Sequence, residues 1–294
     1  MPVRLYDHVH ALHADARDLL ATGKVFYGGV PTADGGRLVD VNAVFIRRDA
    51  PRMRPGTDPA IIWRDPHFVV VYKPPGMLAV PAPHRRETNV LAFVGKLLGS
   101  AKAVHRIDEG TSGLMMVALT TDAQLALKEL LERHDVERRY LAIVRGHFPP
   151  GEKRVESMLV RNRGDGFRGS GDDSGPAATD GTGEAQAARR AVTLFRALED
   201  FGSATLVEAR LETGRTHQVR IHLAEKGFPI LGDPLYGDGK GAPRLALHAA
   251  VLGLKHPRTG QALRWEAPLA DDLDRLIRDR LSSRRAHVAG RRDR

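Results

Sequence analysis

Asp108 is the residue whose type and setting first point to chemistry. It stands in His105-Arg106-Ile107-Asp108-Glu109-Gly110-Thr111-Ser112-Gly113-Leu114, after a His-Arg pair and before a Gly-containing turn that leads into the apolar run Leu114 to Leu119. A loop held by a rigid sheet is where catalytic side chains concentrate, so this carboxylate is the first candidate for work on a substrate. The same position also suits an Asp whose side chain only bonds the backbone of its turn.

A second charged cluster, Thr213-Gly214-Arg215-Thr216-His217-Gln218-Val219-Arg220-Ile221-His222-Leu223, offers cations. Thr216 is placed to cap a helix running to Lys226 and stopped by Gly227. On that helix His217, Arg220 and Ala224 align at i, i+3 and i+7, so Arg220 projects beside His217. His217 and His222 would lie about 140° apart on a helix, or on opposite faces of a strand, and the motif holds no acidic residue. That spacing argues against a metal site.

The elements that must position these residues can be read in outline. The 294 residues are 42% hydrophobic, enough for one large or two modest domains. No apolar run approaches the roughly 20 residues of a membrane span, and Met1 to His10 lacks a signal-like apolar stretch. A soluble, cytoplasmic protein with no membrane partner is therefore expected. The lack of Cys excludes disulfides, thiolate metal ligands and cysteine nucleophiles. A net charge of +9 favours an anionic partner. However, seven Arg against two Asp between Arg278 and Arg294 supply +5 of it, so charge alone does not decide for nucleic acid.

Residues 1–56 read as a small α+β unit: a helical pattern through Ala14, Leu19 and Leu20, a strand at Lys24–Tyr27, a Gly28-Gly29 turn and an extended stretch from Leu38 to Ile46. Arg47, Arg48, Arg52 and Arg54 give it a basic edge. After a linker at Pro51 to Pro59, strands are expected at 61–63 and 68–72, a rigid corner at Lys73-Pro74-Pro75-Gly76 and a helix from Thr88 to Leu98. Thr121 or Asp122 caps a helix to about Arg133, with Ala123, Leu127, Leu130 and Leu131 on one face. Arg138 to Gly146 reads as a strand with Tyr140, Ala142 and Val144 on one face. Residues 164–188, with seven Gly and Phe167 as the sole large apolar residue, read as a flexible insertion. Strands at 191–197, 204–211, 245–249, 251–255 and 262–266 follow, then a helix from Asp271 to Arg280 and a basic tail over 281–294.

Five segments, in this order, resemble signature segments of the pseudouridine synthases, in the branch acting on large-subunit ribosomal RNA and transfer RNA. They are Lys73-Pro74-Pro75-Gly76, the Asp108 decapeptide, Arg139-Tyr140-Leu141-Ala142-Ile143-Val144-Arg145-Gly146, Gly214 to Leu223, and Gly232-Asp233-Pro234-Leu235-Tyr236-Gly237. The resemblance covers about residues 61 to 269, departs at Ile107 where Leu is usual, and does not include the insertion as a family constant. It implies an α+β fold, a mixed and mainly antiparallel sheet with flanking helices, in a catalytic domain over 57–280 beside the small N-terminal unit.

The implied reaction isomerises uridine in ribosomal or transfer RNA without cofactor or metal: the base is detached, turned and rejoined to the ribose through carbon 5. Asp108 is then the catalytic carboxylate, and it must be ionised. In a base-binding pocket that needs a nearby cation, for which Arg220 is the candidate and Arg215 the second. Tyr140 is expected to stack on the target base and to handle the proton released at carbon 5. Arg106 and His105 would contact the RNA or help open its helix, since a base must leave its stack to react. Arg215, His217 and Lys73 complete the expected substrate-binding set, Lys73 serving equally well as a solvated turn lysine. Both a covalent adduct at carbon 1′ and a glycal satisfy these demands. RNA is the expected partner, and a monomer the expected state.

Two rival readings are a non-catalytic RNA-binding or ribosome-assembly factor on the same fold, and a hydrolase pairing Asp108 with His105 or His217. A mere binder has no need of a charged carboxylate facing an anionic ligand, and no local nucleophile signature supports the hydrolase. The N-terminal unit also resembles the small RNA-binding module named after a small-subunit ribosomal protein, through Gly23-Lys24-Val25, and departs from it at Tyr27-Gly28-Gly29. It reads either as an RNA-holding module or as a cap packed on its neighbour.

Overall fold

The computed structural model describes residues 2–49, 57–85, 87–161, 168–171 and 188–292, with side chains to 282. The chain divides into two compact units, Met1–Leu130 with His248–Arg294, and Leu131–Leu247.

The first unit opens with β1 (Val3–Arg4), α1 (Leu5–Leu12), α2 (Ala16–Ala21), β2 (Val25–Tyr27), β3 (Val30–Pro31), β4 (Leu38–Val39) and β5 (Val44–Ile46). Leu5 and Val9 of α1 close over Ala16, Leu19, Leu20, Val25 and Val39 to give this segment its own small core. α1 is not anticipated from the sequence, since only one turn-spaced pair, Leu5 and Val9, is buried. Arg52, Arg54 and most of the expected linker lie outside the described residues.

Next come β6 (Ala60–Arg64), β7 (Phe68–Lys73), α3 (Val90–Leu98), β8 (Lys102–Ala103), β9 (Ser112–Ala118) and α4 (Thr121–Glu132). α3 starts where Asn89 accepts from Ala92 N at 3.0 Å and stops at Gly99 in the left-handed conformation. Its Val90 and Val94 pack on Val69 and Val71 of β7 and Met115 and Val117 of β9. β9 is buried along its whole length, so it reads as an unbroken apolar run rather than an alternating one.

The second unit holds β10 (Val136–Arg145), β11 (Glu152–Val160), β12 (Gly169–Ser170), β13 (Arg189–Asp200), β14 (Ala204–Leu211) and α5 (Gln218–Glu225). Its strands run β12-β11-β13-β14-β10, all antiparallel, with Tyr140 opposite Ala209. β11 escapes a sequence reading because its exposed face is charged and only Val155 and Leu159 are buried. Of the insertion 164–188, only 168–171 and 188 are described; the expected flexibility lies outside the described residues.

The chain then returns to the first unit through β15 (Leu247–Lys255), β16 (Ala262–Glu266) and α6 (Asp271–Arg292). β15 is one strand where two short ones are expected, and α6 continues twelve residues beyond the expected Arg280. The order here is β15-β9-β7-β6, with β16 on β15 and β8 on β9. β9 and β15 pair in parallel, His248 with Ser112 and Ala249 with Gly113, while the β7–β9, β6–β7, β15–β16 and β8–β9 ladders are antiparallel. A Cβ on Gly113, at φ +114°, would sit 2.2 Å from the Ala249 carbonyl oxygen, so glycine is required for this approach. The Asp271 carboxylate at the start of α6 accepts from Thr32 Oγ1 and Arg37 Nη1, each at 2.8 Å, tying the N-terminal segment to the C-terminal helix. The architecture is the mixed, mainly antiparallel α+β sheet expected.

Candidate active site

In the first unit the Asp108 loop is braced from below. Lys73, at the end of β7, is fully buried, and its Nζ donates to the carbonyls of Pro74 at 2.8 Å, Met77 at 2.8 Å and Glu109 at 2.9 Å. The expectation of an RNA-contacting or solvated lysine is thus corrected: three carbonyl oxygens hold this ammonium inside, where it joins the Lys73-Pro74-Pro75-Gly76 corner to the loop. Gly76 N donates to the same Glu109 carbonyl at 2.8 Å, and Thr111 N closes the turn on Asp108 O at 3.0 Å. The carboxylate of Glu109 is held by Arg85 at 2.8 and 3.1 Å. Ile107 is buried, Asp108 half-buried and Arg106 exposed.

His105 sits against β9, its Nε2 accepting from Met116 N at 2.9 Å. In the neutral ring this bond places the proton on Nδ1. The effect is a loop of fixed backbone that presents Asp108 between an anchored His105 and an anchored Glu109. Its neighbour Ser112 bonds His248 Nδ1 at 2.9 Å, both residues being buried.

In the second unit, α5 and the 232–237 turn assemble a buried ion pair with an aromatic neighbour. Arg220 donates from Nε to Asp233 Oδ2 at 2.8 Å and from Nη2 to Oδ1 at 2.7 Å. Asp233 also accepts from Leu235 N at 2.9 Å and Tyr236 N at 3.1 Å, which explains the Asp-Pro turn of the signature. Burial pushes the Asp233 carboxyl up, but Arg220 and the two backbone donors overrule it and hold it below the ordinary value. The guanidinium carbon of Arg220 lies 5.1 Å over the Tyr236 ring, and the Tyr236 hydroxyl meets His217 Nδ1 at 3.0 Å. His217 stands just outside the helix in the left-handed conformation (φ 59°), instead of on it as expected.

Arg215 is fixed by its own backbone. Gln218 Oε1 accepts from Arg215 N at 3.0 Å and Thr213 Oγ1 at 2.7 Å, while Gln218 Nε2 donates to Val192 O and Thr193 Oγ1, both at 2.9 Å. Arg215 Nε donates to Arg190 O at 3.0 Å. Tyr140 is buried on β10, sharing a face with Ala142 and Val144 as the period of two requires.

Each unit therefore collects its own part of the expected set: Lys73, His105, Arg106 and Asp108 in the first; Tyr140, Arg215, His217 and Arg220 in the second. Sequence reasoning missed Glu109 with Arg85, and Asp233 with Tyr236. The latter two already lay inside a quoted signature, and an Asp before Pro between glycines was the available signal.

Comparison with known proteins places this geometry. Residues 67–225 match the family profile described as RNA pseudouridylate synthase. The chain is 36% identical over 269 residues to the ribosomal large subunit pseudouridine synthase D of Xanthomonas campestris pv. campestris, covering 84% of this chain and 76% of that protein. It is 40% identical over 228 residues to the uncharacterized RNA pseudouridine synthase YlyB of Bacillus subtilis, covering 74% and 71%. Among solved structures, human RNA pseudouridylate synthase domain containing 4 superposes with a TM-score of 0.59 at 25% identity, over 76% of this chain and 93% of that one. The profile match over half the chain and the extended identity to these relatives establish that the chain belongs to the RNA pseudouridylate synthase family and is an RNA pseudouridine synthase.

Proposed function

We propose that this enzyme converts uridine to pseudouridine in large-subunit ribosomal RNA, with Asp108 as its catalytic carboxylate. The observation that carries the RNA assignment is the run of relatives named for the large ribosomal subunit, 33–38% identical over most of the chain. In this reading Asp108 acts at the ribose as the C1′–N1 bond opens. The base turns, C1′ bonds to C5, and the C5 proton is lost to solvent while N1 gains one. Arg220, gripped along one edge by Asp233, and Tyr140 are the further catalytic residues, Tyr140 stacking on the base and taking part in the C5 proton transfer. Arg106, exposed beside Asp108, contacts the RNA, with Arg215 and His217 on the substrate and His105 setting the loop. Residues 1–56 and the basic stretch 281–294 add sequence-independent attraction to RNA. Among the described residues no helix is long and apolar enough to cross a membrane; a monomer at work in the cytoplasm is part of the proposal.

The test is release of tritium from carbon 5 of labelled uridine, in ribosomal RNA and in transfer RNA side by side, for the parent and Asp108→Asn. Release from ribosomal RNA alone, abolished by the substitution, is the expected result. Release only from transfer RNA overturns the substrate, and release that survives Asp108→Asn overturns the role of Asp108.

A further inference from the structure

One buried guanidinium has no part in the scheme above. Arg138 precedes Tyr140 by two residues on β10, so the two share a face, and both are buried, at 7% and 9% exposed. Its single hydrogen bond among the described residues is a long one, Nη2 to Glu212 O at 3.4 Å, and its buried Nε has no partner. Nearby carboxylates are committed elsewhere: Glu137 and Glu208 to Arg139, and Glu212 to Arg154.

The loop at 213–215 is shaped around this side chain. A Cβ on Gly214 would lie 2.3 Å from Arg138 Nη1, so glycine there makes the room the guanidinium occupies. Arg215 follows at once and adds a second positive charge. Burial pushes Arg138 below the ordinary arginine value and Arg215 pushes the same way, with Tyr140 opposing. A cation removed from water without a counter-ion is expensive to keep. Arg138 with its idle fork edge, beside the half-buried Arg215, suits a ligand that brings negative charge and paired oxygens, as a phosphodiester does.

We propose that Arg138, seated on Gly214 and joined by Arg215, binds a backbone phosphate of the RNA strand that delivers the target base to Tyr140. This rests on the RNA substrate above, and it adds a contact that holds the strand rather than reading its sequence.

The full chain and its Arg138→Met, Arg138→Lys and Gly214→Ala variants are compared for thermal unfolding without RNA, for RNA affinity over a range of salt, and for kcat and KM. Arg138→Met is expected to unfold no lower than the parent, because it removes an uncompensated buried charge. It should bind RNA about tenfold more weakly, with a log affinity against log salt slope shallower by about 0.7, the value for one phosphate contact on a single strand. KM should rise with kcat little changed. Arg138→Lys should keep the slope, and Gly214→Ala, which displaces the guanidinium, should lose it. An unchanged slope in Arg138→Met overturns the proposal, as does unfolding at lower temperature in both Arg138 variants with unchanged affinity of the folded fraction, which marks a structural arginine. A parent that binds RNA with the expected slope but releases no tritium fails the catalytic reading alone. A parent that binds no RNA fails both.

Discussion

Arg220 and Asp233 are joined by two parallel hydrogen bonds of 2.8 and 2.7 Å, with 8% and 1% of their side chains exposed. The pair orients the arginine and at the same time satisfies the turn that carries the aspartate. Breaking one side of a buried pair leaves the other charge uncompensated. Asp233→Asn should therefore lower stability by roughly 3 kcal/mol in urea unfolding and reduce kcat as Arg220 loses its fixed edge. A variant that unfolds like the parent and keeps its kcat would show the pair to be idle.

Tyr140 is expected to act through both its ring and its hydroxyl. Tyr140→Phe keeps the stacking surface and should leave RNA affinity unchanged while kcat falls by about a hundredfold, the usual worth of a positioned proton-transfer group. Tyr140→Leu should weaken binding as well. An unchanged kcat in Tyr140→Phe would remove the hydroxyl from the chemistry.

Gly113 should tolerate no side chain. Gly113→Ala places a Cβ against the Ala249 carbonyl and strains a positive φ, and is expected to cost more than about 3 kcal/mol, seen as loss of folded protein by circular dichroism. Gly202→Ala is the control: its φ of +92° is strained too, but nothing lies within 4 Å, so a cost near 1 kcal/mol is expected. Similar melting temperatures for the two variants would refute the close-approach argument.

His222 makes stability depend on acid. It is fully buried between Thr193 Oγ1 at 2.9 Å and Ser157 Oγ at 3.0 Å, and burial pushes its imidazole down to about 4. The unfolded chain takes up a proton below about 6.5 that the folded state refuses. This contribution is thus complete above that pH and is lost as the pH falls toward 4, by up to about 3 kcal/mol. Urea midpoints at pH 7, 5.5 and 4.5 should fall, and His222→Asn should flatten the decline. A decline of the same steepness in the variant would assign it to other groups.

How far the sequence foretells this molecule depends on the physical source of each feature. β9 and β10 are legible because burial on two faces leaves an unbroken apolar run and burial on one leaves alternation. β11 is opaque because its charges are answered across strands, Glu156 by Arg190 among them, and such pairing has no local signature. The chemistry-bearing residue types are visible in the signature segments, whereas their supports are not. Nothing in Lys73 announces that three carbonyls will surround it, and nothing in Arg220 that its partner lies thirteen residues on. Arg138 is visible in hindsight by its period-two spacing from Tyr140.

The first unit is encoded on both sides of the second, and this sets a timetable for protein synthesis. β9, which carries the Asp108 loop on its leading end, cannot gain its parallel neighbour until residue 248 has left the ribosome, and Thr32 and Arg37 wait longer for Asp271. A nascent chain halted before then holds Asp108 on a strand with an open edge, a form disposed to aggregate. Incomplete chains are therefore expected to release no tritium from carbon 5 of uridine, and ribosome-arrested chains ending on either side of residue 271 would reveal the moment at which release begins.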